Sequence, residues 1–192
     1  LAFVVVYDAC VMYPAPLRDL LVRIASTGIV RARWSEAILD ECFRSILEQR
    51  PDLKPEALGR TRDLMKRAIP DCMVAGFEAL VEGLSLPDPD DRHVLGAAIR
   101  AGAQAIVTFN LRDFPADKLA PYNVEAKHPD DFVLDTIGLS PGIVMKVLGE
   151  QAEVLKNPPK TVGEVLDTLR GQGLVRSAAK LRELFAIVEP FE

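Results

Sequence analysis

The stretch LPDPDDRHVLGAAIRAGAQAIVTFN, residues 86–110, limits the fold more than any other. A turn of prolines and aspartates runs into a helix of small residues from about Asp91 to Ala101. Gly102 stands where a helix closes in the left-handed conformation, and AQAIVTF follows at once as a buried strand. A helix that feeds so directly into an apolar strand predicts βα units on a parallel sheet. A second short apolar run, residues 2–7, predicts another strand, and PYNVEAK and CMVAG are shorter candidates.

Amphipathic helices fill the space between. Pro16 can open one that buries Leu17, Leu20, Leu21 and Ile24 and ends at Gly28. Ser35 caps a second, with Ile38, Leu39, Cys42, Ile46 and Leu47 on one face. Pro55 opens a third, to about Ile69, and Pro129 opens another in HPDDFVLDTI. After Gly138 the pattern is helical throughout, interrupted by NPPK. The expected organisation is an α/β domain over 1–137 and a helical C-terminal extension over 138–192.

Composition narrows the function. With 49% hydrophobic and 27% charged residues, the chain is an ordinary globular one. Its net charge of −5 argues against unspecific coating of nucleic acid. No apolar run reaches the roughly 20 residues that cross a bilayer, and no signal peptide is visible. Leu1 in place of Met suggests a start slightly upstream. Cys10, Cys42 and Cys72 form no paired spacing, which disfavours a disulfide framework and fits a reducing cytoplasm. Two histidines, His93 and His128, exclude a histidine-rich metal cluster. Neither GxSxG nor a P-loop occurs.

The acids are more informative. Asp8 ends an apolar strand, where a carboxylate needs a partner. In open α/β sheets, ligands bind beyond the carboxyl ends of the strands. Asp88, Asp90 and Asp91 lie in the turn before the small-residue helix, and Asp113 follows AIVTF. Asp40 and Glu41 flank opposite sides of one apolar helix face, and periodicity does not choose between them. Asp91 can also be read as a helix N-cap, and Asp88 and Asp90 as turn residues. If the strands are neighbours, these acids converge, and a divalent cation resolves their repulsion.

VVVYDACVMYPAP, SEAILDE and DPDDRHVLGAAIRAGAQAIVTFNLRDFP together resemble the PIN domain family: a strand ending in Asp, a helix with Ser and Glu, then an acid at a helix start and a T-x-N/D-x-x-D-F loop. The resemblance covers about residues 2–125, in the family's order. It implies a Rossmann-like α/β/α sandwich and a Mg²⁺- or Mn²⁺-dependent ribonuclease, in bacteria usually a VapC-type toxin paired with an antitoxin. It selects Glu41 over Asp40 and assigns Asp8, Glu41, Asp91 and Asp113 as catalytic, metal-holding acids. Cys10, Asp88, Thr108 and Asn110 become their supporting neighbours, with Thr108 bonded to a carboxylate. Two positions depart from the family pattern. Cys10 replaces Asn or Thr, and Asn110 stands where many relatives have Asp.

The implied partners are RNA (tRNA, rRNA or mRNA), a cognate antitoxin and a second copy of the chain. Arg92, Arg112, Arg18 and Arg33 are candidate contacts to the RNA backbone. His93 reads as structural or supporting rather than catalytic, and Trp34 as core. The alternative is a catalytically weakened PIN-like module that acts through a protein partner.

Overall fold

A computed structural model describes residues 3–188 of the chain. Ala2, where the sequence starts the first strand, and residues 189–192 of the predicted extension lie outside them. Four parallel strands form the sheet: β1 (Phe3–Tyr7), β2 (Val30–Arg33), β3 (Ala105–Val107) and β4 (Glu125–Lys127), in the order β2-β1-β3-β4. The chain leaves β1 to one side for β2 and later returns on its other side as β3. The carboxyl edge between β1 and β3 is therefore the switch point where such sheets bind ligands.

Helices cover the sheet. Chain order gives α1 (Ala9–Met12), α2 (Ala15–Ser26), α3 (Glu36–Gln49), α4 (Pro55–Ala68) and α5 (Glu78–Val81), then α6 (Arg92–Ala101) and α7 (Ala116–Leu119). The C-terminal part holds α8 (Pro129–Leu139), α9 (Pro141–Val154), α10 (Val162–Gly171) and α11 (Val175–Val188). The expected helix starts rest on the expected chemistry. Ser35 accepts a bond from the Ile38 amide, and Pro16, Pro55 and Pro129 occupy first-turn positions. Gly102 closes α6 at φ 61°, a backbone angle that a side chain would strain.

Two strand expectations change. CMVAG makes only a single parallel bridge, Met73 to Trp34, and is not a strand. β2, which sequence pattern does not signal, is VRAR, with Val30 and Ala32 buried and Arg31 exposed. Two arginines in four residues hide an edge strand from any apolar count. Trp34 lies beyond it, buried and stacked on Tyr7 with ring centroids 6.2 Å apart.

One continuous core joins the sheet to the C-terminal helices: Val5, Val6, Ile106 and Val107 belong to the same cluster as Val144, Leu148, Leu166 and Leu181. The junction between residues 137 and 138 falls inside α8, α9 packs on α2, and α11 packs on α8. The Asp130 carboxylate accepts from the Arg176 and Ser177 amides at 2.9 and 2.8 Å. A residue of α8 thus caps the start of α11. Among the described residues no single helix is long and apolar enough to cross a membrane.

Candidate active site

The site begins with the register of β1 on β3. Tyr7 pairs with Val107, and the Asp8 amide donates to the Val107 carbonyl at 3.1 Å. That places Asp8 beside Thr108, the next residue of the neighbouring strand. The Thr108 hydroxyl donates to Asp8 Oδ2 at 2.7 Å, and the Ala9 amide donates to Oδ1 at 2.7 Å. Cys10, in the first turn of α1, donates its thiol to Oδ2 at 3.1 Å. The sulfur itself accepts from the Phe109 amide at 3.3 Å. Cysteine at this position therefore still supplies a hydrogen bond to the acid.

Asp8 is buried, and burial pushes its pKa up. The Thr108, Cys10 and Ala9 donors oppose that rise, and the nearby charge of Glu41 adds to it. Burial likewise raises the Cys10 thiol, with the Asp8 charge as the second cause. Cys10 is thus a donor here and not a reactive thiolate.

Asp91 joins the cluster from the start of α6. Its pKa is raised to about 7, first by burial, then by the charges of Asp8, Asp88, Asp113 and Glu41. The acids drawn from distant segments are therefore within electrostatic reach of one another. Asp91 sits at the N-cap position of α6, yet its side chain makes no capping bond. Its neighbour Asp88 does the local work, accepting from the Asp90 amide at 2.9 Å in the turn before α6. Asp113 is half-buried in the loop after β3, with its amide on the Asn110 carbonyl at 3.0 Å. Asn110 is exposed, and its amide donates to the Thr108 hydroxyl at 2.9 Å.

The two acids of α3 that periodicity leaves equivalent have different surroundings. Asp40 is bound by Arg62 at 2.6 Å, on the side facing α4. Glu41 faces α6 instead, where His93 Nε2 stands 3.3 Å from its Oε2. Of the arginines, Arg18 donates to the Met12 carbonyl at 2.6 Å, and Arg33 donates to the Asp71 carbonyl. Arg92 uses Nε on the Pro89 carbonyl at 2.9 Å, and Arg112 is exposed.

Chemically, four carboxylates with hard oxygen donors fit a small divalent cation such as Mg²⁺ or Mn²⁺. Among the described residues, no three His, Cys, Asp or Glu side chains are already gathered at coordinating separations. The acids form a half-buried, mutually repelling edge. A cavity of about 680 Å³ between α2, α4, α9 and α10 contains none of them.

Residues 4–112 match the PIN domain model, more than half of the chain. The chain belongs to the PIN domain family. Asp8, Glu41 and Asp91 fall inside the matched span, and Asp113 lies one residue beyond it. Residues 129–183 match a second model, the VapC50 C-terminal domain. This segment corresponds to α8 through most of α11, which pack onto the PIN domain. A curated relative from Mycobacterium tuberculosis, named "Putative ribonuclease VapC50", is 45% identical over 101 residues. The match covers 53% of this chain and 59% of that protein, so the chain spans under two thirds of its relative's length. No solved structure gives a significant match.

Proposed function

We propose that this PIN domain is a divalent-cation-dependent endoribonuclease, the toxin of a type II toxin–antitoxin pair acting in the cytoplasm. The observation that carries the reading is the buried Asp8 carboxylate at the β1/β3 switch point, fixed by Thr108, Cys10 and the Ala9 amide, with the charges of Glu41 and Asp91 close by. Carboxylates that raise one another's pKa at the end of a buried strand are unfavourable, and a divalent cation between them removes that cost.

Asp8, Glu41, Asp91 and Asp113 would hold Mg²⁺ or Mn²⁺. Bound there, the cation supplies Lewis acidity, which activates water and neutralises charge developing on the phosphoryl group. The chain's own residues do the remaining work. Thr108, Cys10 and the Ala9 amide fix both oxygens of Asp8. Asp113, on its loop, orients the attacking water. Arg112 and Arg92, each next in sequence to a proposed metal-holding acid, meet the RNA backbone. Arg18 and Arg33 rank lower in that role, because carbonyls already engage them.

The partners under this reading are RNA, a cognate antitoxin and a second copy of the chain. The helices from Gly138 onward are an extension that completes the nuclease core. Cys10 and Asn110 motivate a weakened binding module, but the Cys10 thiol still donates to Asp8.

The test is cleavage of tRNA or ribosomal RNA by the purified protein. Cleavage should need Mn²⁺ or Mg²⁺ and vanish in the Asp8→Asn, Glu41→Gln double variant. Equal cleavage by that variant would refute the assignment.

A further inference from the structure

We infer that His93 is a positioning residue for Glu41, holding that carboxylate toward the acid cluster. The inference rests on the metal-centre reading above and assigns a role to a residue outside the four acids.

Three observations carry it. First, His93 Nε2 lies 3.3 Å from Glu41 Oε2, and among the described residues Glu41 has no other side-chain partner. Second, the other ring nitrogen, Nδ1, is buried with no hydrogen-bond partner. Leaving a buried polar atom unpaired is unfavourable, and an apolar side chain would fill the space without that cost. The imidazole therefore has one polar contact to justify it, the one with Glu41. Third, acids on the same helix are treated differently. Glu36 and Asp40 face α4 and are ion-paired with Arg62, and Glu36 also with Lys66. Glu41 alone of the three meets a histidine.

The difference has a chemical consequence. Arginine or lysine beside Glu41 would supply a permanent positive charge and compete with a cation. An imidazole nitrogen standing against one carboxylate oxygen limits where Glu41 can turn while leaving the other oxygen available. The contact also ties α3 to the first turn of α6, immediately after Asp91. Partners that orient a ligand in this way typically change metal affinity by roughly 10–100-fold when removed.

The test is titration of the full chain with Mn²⁺ by calorimetry, with thermal unfolding in EDTA as a separate measure of folding. His93→Gln places an amide N–H at the reach of Nε2, whereas His93→Asn places it at the reach of Nδ1. The expected result is a loss of about ten-fold in Mn²⁺ affinity for His93→Asn and affinity within about two-fold of wild type for His93→Gln. A packing role would make the two variants equivalent in binding and different only in melting. Equal affinities for the two variants, or wild-type affinity in His93→Asn, would overturn the inference. If wild type binds Mn²⁺ and Asp8→Asn does not, such a result removes the His93 role alone. If wild type binds no Mn²⁺, the metal-centre reading and the His93 role fall together.

Discussion

Asp130 offers the sharpest test of how the C-terminal helices are held. Its carboxylate is buried and accepts from the Arg176 and Ser177 amides, and the Ser177 hydroxyl donates to the Asp130 carbonyl at 2.9 Å. Asp130→Ala removes both side-chain acceptors from the start of α11 and leaves the buried Ser177 amide unpaired. Cap removal costs about 0.5–2 kcal/mol, and a hydrogen bond to a charged group contributes about 1.5–3 kcal/mol. A loss of about 2 kcal/mol follows, or a fall in Tm of about 4–8 °C for a domain of this size. Asp130→Asn keeps one acceptor and should lose about half as much.

The pH dependence identifies the carboxylate as the cause. Burial alone would raise the pKa of Asp130, but the bonds from Ser177 and Arg176 overcome that and hold it below the usual range. A group depressed in the folded state contributes stability above its unfolded value, near 4, and loses it as pH falls through the folded value. The gap between wild type and Asp130→Ala should therefore be full at pH 7 and shrink below about pH 4. Thermal or urea unfolding across that range measures it. An Ala variant melting within about 1 °C of wild type at pH 7, or a gap unchanged in acid, would refute the cap.

Three further outcomes follow from the site and its support. Because the Asp91 pKa is raised to about 7, first by burial, the folded protein favours its protonated form. Stability without divalent cations should then fall as pH rises from about 4 to about 7, measured by Tm in EDTA, and Mn²⁺ should cancel the slope. Asp8→Asn removes one of the charges that raise the Asp91 pKa and should flatten that slope while abolishing cleavage. Gly173 has φ 100°, and a Cβ there would come within 3.1 Å of Phe109 Cε1, in the loop that follows Thr108. Gly173→Ala should cost about 2 kcal/mol by urea unfolding, and Phe109→Leu in the same chain should recover only the contact part of that loss.

Much of this protein is legible along the chain because the relevant physics is local. The prolines at the starts of α2, α4 and α8, the Ser35 cap and the left-handed Gly102 each act within a few residues of their own position. Their elements can be read without knowing the rest of the fold. β2 is not legible, because VRAR becomes a strand only when β1 offers it a parallel edge. CMVAG has the apolar composition of a strand and forms only a bridge, because its one partner is Trp34, beyond the end of β2.

The candidate site divides in the same way. A carboxylate ending the apolar run FVVVYD demands a partner, and the resemblance of three ordered motifs points to the other acids. What periodicity leaves equivalent at Asp40 and Glu41 is told apart in surroundings by neighbours more than twenty residues away: Arg62 pairs with Asp40, and His93 stands beside Glu41. Cys10 departs from the Asn or Thr of the family pattern, yet in the fold it donates to Asp8 and accepts from the Phe109 amide. Sequence by itself determined the starts of α2, α3, α4, α6 and α8, the parallel pairing implied by the α6–β3 join, and which acids lie at strand and helix ends. Only the tertiary structure decided which of them come within electrostatic reach of one another, because charge interaction depends on separation in space and not on separation along the chain.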